Sequence, residues 1–190
     1  MIKLLFICGK GGTGKDSVVN QIIRDDMFER LVLYTTRPLR DGEVDGNEYK
    51  FVTRERFDEL VEEEVFSLVE KYPVIEDEYF YGIPKFTISN DKVYVMCGPR
   101  SQFIKLKKDY GDMVFGVYLY NDAYTSLNRM ISRLRMRDDK DVVETCRRVI
   151  TDYDDFKGVD TSKYNLTIDT GRVGVIDEVQ LVKQKIGEFA

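Results

Sequence analysis

The sequence predicts an α/β fold: a mostly parallel, five-stranded sheet flanked by helices, with a small antiparallel insertion. Three observations carry this. The apolar run Leu4-Leu5-Phe6-Ile7-Cys8 passes through a glycine-rich turn into a segment with helical apolar spacing. Strand-like and helix-like stretches then alternate along most of the 190 residues, as in a parallel sheet with crossover helices. From about Thr35 to Asn90 the alternation stops, and short strand candidates gather around one charged helix.

In order, the sheet strands are expected at Lys3–Cys8, Leu31–Tyr34, Val93–Cys97, Met113–Leu119 and Leu166–Ile168, each rich in aliphatic or aromatic residues. Helices are expected at Lys15–Arg24, Ser101–Tyr110, Ala123–Arg133, Val142–Phe156 and Gly174–Phe189. The first carries Val18, Val19, Ile22 and Ile23 on one face, and the last Val175, Val179, Val182 and Ile186. Inside the insertion, Glu48–Val52, Ser67–Tyr72 and Tyr79–Gly82 are expected as short strands around a helix from Arg54 to Glu64. This gives one domain, with a core of 1–34 and 91–190 and an insertion of 35–90.

The turn after the first strand reads Gly9-Lys10-Gly11-Gly12-Thr13-Gly14-Lys15-Asp16-Ser17. A buried strand, a glycine-rich turn and a helix N-terminus aim several backbone N–H groups at one point, which suits a polyphosphate. Gly9, Gly11, Gly12, Thr13, Gly14, Lys15, Asp16 and Ser17 are therefore the candidate ATP-binding residues, with Lys15 neutralising the β/γ-phosphates. The letter after the lysine, usually a Ser or Thr that binds Mg²⁺, is Asp16, and the hydroxyl of Ser17 comes one step later.

Composition narrows the chemistry. With 29 basic and 34 acidic residues the net charge is −5, which argues against non-specific nucleic-acid or membrane-surface binding. Histidine is absent, which excludes Ser-His-Asp hydrolysis and His-ligated metals but not phosphoryl transfer, where positioning and charge neutralisation dominate. Cys8, Cys97 and Cys146 are far apart and read as reduced thiols. The short first apolar run is no signal peptide, and a cytoplasmic location is expected.

The segment Tyr34-Thr35-Thr36-Arg37-Pro38-Leu39-Arg40, followed by Asp41-Gly42-Glu43-Val44-Asp45-Gly46-Asn47-Glu48-Tyr49, resembles the nucleoside-monophosphate (NMP)-binding segment of guanylate kinases. Phe80-Tyr81-Gly82-Ile83-Pro84 resembles that family's Tyr-Tyr-Gly-Thr/Ser-Pro stretch, and Leu68-Val69-Glu70 its base-reading strand. Arg133, Arg137 and Arg148 fall at the spacing of its lid arginines, whereas Arg129 and Arg135 read as solvated. The resemblance implies a P-loop kinase core, an NMP-binding insertion and a helical lid around 134–148. It implies transfer of a phosphoryl group from ATP to GMP or dGMP with Mg²⁺. Arg37, Arg40, Tyr49 and Tyr81 would hold the acceptor phosphate, and Glu70 would read the base. Lys15 and the three lid arginines would carry the catalysis.

The sequence also departs from that family. Where its central strand ends in acidic residues, this chain has Met96 and Gly98, and a carboxylate is gained at Asp16, the expected metal ligand. Two base-contacting hydroxyls are replaced by Leu33 and Ile83, which weakens the expectation of strict guanine selectivity. A deoxynucleoside monophosphate kinase of other or broader base preference and a non-catalytic binding module stay open at this point. The residue for adenine contact maps loosely onto Asp169.

Overall fold

The computed structural model describes residues 1–40, 42–73, 78–86, 91–136 and 142–189. In chain order the regular elements are β1 (Leu4–Gly9), α1 (Lys15–Ile22), β2 (Phe28–Arg30), β3 (Leu33–Thr35), β4 (Tyr49–Phe51), α2 (Arg54–Glu62), β5 (Phe66–Pro73), β6 (Glu78–Pro84), β7 (Val93–Gly98), α3 (Arg100–Tyr110), β8 (Val114–Tyr120), α4 (Ala123–Met136), α5 (Val142–Asp155), β9 (Leu166–Asp169) and α6 (Val175–Gly187). They fall into two compact units, one of 1–29 with 90–190 and one of 30–89.

The first unit is a five-stranded sheet in the order β2-β7-β1-β8-β9. β1 lies at its centre, parallel to β7 and β8, and β9 runs parallel to β8. A central strand is covered on both faces, which is why all six residues of β1 are apolar or small and fully buried. On one face Val18, Val19 and Ile22 of α1 and Val179, Val182 and Ile186 of α6 close over Leu5, Ile7, Val95, Val117 and Leu119. On the other, Phe103 of α3 tilts against Phe6 at 5.7 Å. In an open parallel sheet the ligand crevice lies beyond the carboxyl ends of the strands, so the glycine-rich turn after β1 lies there.

One expected strand is misplaced. Leu31–Tyr34 is not part of the main sheet, whose edge is β2, because Phe28, 3% exposed, joins the first core. The chain then leaves that unit, and β3 pairs with β4 and β6 instead.

The second unit has a four-stranded sheet in the order β4-β3-β6-β5. It is mixed rather than purely antiparallel: β6 runs against β3 and β5, but β3 and β4 are parallel. The long segment between β3 and β4 carries the chain back to start β4 in the same direction. Its aromatic core joins α2 to the sheet, with Phe57 stacked on Phe66 at 4.9 Å and tilted against Phe80 at 5.9 Å. Thr53 caps α2 by accepting from the Arg56 amide. Gly82 is required here, since a Cβ would stand 2.4 Å from the Phe66 ring. Among the described residues, no helix is long and apolar enough to cross a membrane.

Candidate active site

The loop Gly9–Gly14 is shaped by close approach and by left-handed backbone. Gly12 (φ 77°) and Gly14 (φ 91°) occupy conformations that disfavour side chains, and a Cβ on Gly12 would meet the Ser126 carbonyl oxygen at 2.5 Å. Thr13, buried, hydrogen-bonds through its hydroxyl to the Lys10 carbonyl at 2.8 Å. Gly14 caps α1 without a side-chain hydrogen bond, so the first-turn amides have no side-chain acceptor from the cap and suit an anion. Lys15 Nζ donates to the carbonyls of Gly9 (2.7 Å) and Lys10 (2.8 Å), which holds the cation at the loop. Behind the loop, burial pushes the Cys8 thiol up to about 11, so it stays protonated against the Tyr164 hydroxyl.

Asp16 and Ser17 are exposed in the first turn of α1. The Cys97 thiol, at the end of β7, donates to Asp16 Oδ1 at 3.4 Å, so Asp16 stands beside the carboxyl end of that strand. Met96 is buried and cannot substitute for them. Among the described residues no group of three or more His, Cys, Asp or Glu converges. A hard carboxylate oxygen beside a polyphosphate loop fits Mg²⁺ nonetheless, because this ion keeps several waters and takes one or two carboxylates plus phosphate oxygens.

Two loop contacts were not legible in the sequence. Asp152 of α5 accepts a hydrogen bond from the Gly11 amide at 2.5 Å, putting a carboxylate on a phosphate-loop donor. Arg129, expected as a merely solvated side chain, is exposed but binds the loop: its guanidinium donates to the Gly12 carbonyl (3.2 Å) and to the carbonyl (3.0 Å) and hydroxyl (3.4 Å) of Thr170. Helical spacing alone could not show which arginine of α4 faces the glycine turn. Arg129 also draws down the pKa of buried Glu178, although desolvation dominates and the net shift is upward. Arg133 and Arg135 are exposed on the last turn of α4, and Arg148 is half-buried on α5. Arg137 lies outside the described residues. Asp169 ends β9 and accepts from the Gly171 amide at 3.1 Å.

In the second unit, the expected monophosphate-binding residues are linked by a chain of contacts. Arg37 is 5% exposed and forms a bidentate pair with Glu43, both N–H···O distances being 2.7 Å. Glu43 also accepts from the Arg40 amide at 2.9 Å, so it shapes the turn that carries both arginines. Burial works against the charge of each partner, but the pair outweighs it: the guanidinium is held above and the carboxyl below its ordinary range. Arg37 lies over the Tyr49 ring at 5.0 Å, Tyr49 meets Tyr81 edge-on at 5.8 Å, and Tyr81 is paired across the sheet with Glu70. Tyr72, two residues beyond Glu70 on the same face of β5, donates its hydroxyl to Glu70 Oε2 and meets Tyr81 edge-on at 5.3 Å. Period-two spacing could have flagged Tyr72. Leu33 and Ile83 are buried, at 9% and 1% exposure, so the two lost hydroxyls became core.

The guanylate kinase family model matches residues 1–89. A guanylate kinase of Sulfurimonas denitrificans is 30% identical over 147 residues, covering 74% of this chain and 68% of the relative. One from Caldanaerobacter subterraneus is 28% identical over 188 residues, covering 96% and 84%. Among solved structures, guanylate kinase from Anaplasma phagocytophilum shares the fold at a TM-score of 0.69 with 16% identity, over 98% of this chain and 85% of that one.

Proposed function

The chain belongs to the guanylate kinase family, and from that premise we propose that it transfers the γ-phosphoryl group of ATP to GMP or dGMP, yielding ADP and GDP or dGDP. An acceptor phosphate oxygen bonds to the γ-phosphorus as the bond from that phosphorus to the bridging oxygen of ADP breaks. The protein's task is to position the reactants and neutralise spreading negative charge. The glycine-rich loop from Gly9 to Gly14 and Lys15 hold ATP. Asp16 would hold Mg²⁺ together with the ATP phosphates, and the ion would supply neutralisation of their negative charge. Arg133, Arg148 and Arg137 act on the transferring group. Arg37, Arg40, Tyr49 and Tyr81 bind the acceptor phosphate, and Glu70 reads the base.

The observation that best supports this reading is the contact chain Arg37–Tyr49–Tyr81, with Glu70 opposite Tyr81 in the strand pair, which brings a guanidinium, two phenols and a carboxylate together within the second unit. A non-catalytic module has no need of an intact glycine loop with Lys15, and the relatives are kinases named for guanylate. The test is coupled ADP release with ATP and Mg²⁺ against GMP, dGMP, AMP, dTMP, dCMP and UMP. Lys15→Ala is the background control. Lys15-dependent turnover confined to GMP and dGMP is expected. Turnover on another base, or none, overturns the assignment.

A further inference from the structure

We infer that Glu43 is a positioning residue of the acceptor-phosphate site: it engages the terminal edge of the Arg37 guanidinium, so that a phosphate meets Arg37 through the Nε–Nη2 edge alone. The inference rests on the guanylate kinase reading above and names a residue through which that site works.

The donors of Arg37 lead there. A guanidinium carries five N–H bonds, one on Nε and two on each terminal nitrogen, fixed in one plane. Glu43 takes one from Nη1 and one from Nη2, both at 2.7 Å, and the Pro38 carbonyl takes the second from Nη1 at 3.0 Å. Two remain. They are the Nε–H and the second N–H of Nη2, and planarity makes them point the same way from one edge, a fork that two oxygens of a phosphate monoester match. Among the described residues no acceptor is bonded to Nε.

The fork is held still. Arg37 is 5% exposed, and its Cζ lies 5.0 Å from the centres of both the Tyr49 and Phe51 rings, alternate residues of β4 that share a face. Glu43 Oε2 also accepts from the Arg40 amide at 2.9 Å, so the same carboxylate fixes the backbone from which the second arginine starts. Two effects oppose each other when a phosphate arrives. The carboxylate repels it, but the Arg37 cation touches both anions and offsets part of that repulsion. Without Glu43 the guanidinium loses the fork that orients it, and ordering an arginine side chain again on binding costs affinity. In Glu43→Gln, moreover, an amide N–H₂ faces the guanidinium, donor against donor. Orientation therefore outweighs repulsion.

The test reads the Arg37 Nε–H directly. Nitrogen-edited NMR spectra of the full chain show arginine Nε–H signals, Arg37→Lys identifies the one in question by removing it, and calorimetry gives the Kd for GMP. In wild type the signal should stand apart from those of exposed arginines before ligand is added, and should move with GMP or with inorganic phosphate. In Glu43→Gln it should fall among the exposed arginines, and the Kd for GMP should rise about tenfold, the value of one charge-assisted hydrogen bond. A Glu43 that merely props the turn would weaken GMP and leave the ligand-free signal where it was, which overturns the inference. Unchanged or tighter GMP binding in Glu43→Gln overturns it too, as does a wild-type signal that neither ligand moves, a result that needs no variant to fold. A signal moved by inorganic phosphate in a protein that binds no GMP overturns the guanylate reading alone and upholds the Nε–Nη2 edge.

Discussion

Asp152 occupies a donor that a phosphate should use, and its removal should tighten ATP binding. The carboxylate sits 2.5 Å from the Gly11 amide and is half-buried, a charge-assisted hydrogen bond in partly excluded solvent. Such bonds contribute about 1.5–3 kcal/mol, and half exposure argues for the lower part, about 1.5–2 kcal/mol. An ATP phosphate arriving at the same amide must break this bond and meet a like charge. Asp152→Ala removes both obstacles, and alanine is the best residue for the interior of α5. Titration calorimetry with ATP and no acceptor should therefore show a Kd about tenfold to thirtyfold lower, at 1.4 kcal/mol per tenfold. The same lost bond should lower the melting temperature of the ligand-free protein by about 3–8 °C at this chain length. Tighter ATP binding in a less stable apoprotein is the signature. An unchanged or weaker ATP affinity would refute the reasoning and show that Asp152 supports the loop instead of competing for it.

Arg129→Gln should raise the KM for ATP about fivefold with little change in the KM for GMP, since Arg129 ties the Gly12 carbonyl of the glycine-rich loop to Thr170. Steady-state kinetics with each substrate varied in turn decides this. Gly82→Ala should destabilise by about 1–3 kcal/mol, because the new Cβ drives into a Phe66 ring already stacked on Phe57; a denaturant melt measures it. The pH dependence follows from Glu43. Its folded pKa is depressed, so its stabilisation is present above its unfolded value of about 4.3 and lost as pH falls through the folded value. Melting temperatures should drop on acidification below about pH 4.5, and Glu43→Gln should flatten that drop.

The sequence by itself determined much of this protein. The buried strand, glycine loop and following helix are local in the chain, and each is dictated by apolar spacing and by glycines that allow left-handed backbone. Arg37, Arg40 and Tyr49, proposed to hold the acceptor phosphate, stand within one short stretch, so that motif could be read from the sequence, with Tyr81 supplied by a second one. The strand at Phe28–Arg30 was not. A three-residue edge strand carries too little pattern to outbid the more apolar Leu31–Tyr34, and only core packing around Phe28 decides between them. The parallel pairing of β3 with β4 was likewise hidden, since strand direction is set by the course of the connection and not by the residues that pair. Contacts made across long separations were the least visible. Asp152 reaches Gly11 over 141 positions and Arg129 reaches Gly12 over 117, and neither residue type announces a partner. The tertiary structure decided these because a hydrogen bond depends on where two groups meet in space, and chain spacing reports that only within one helix turn or one strand face.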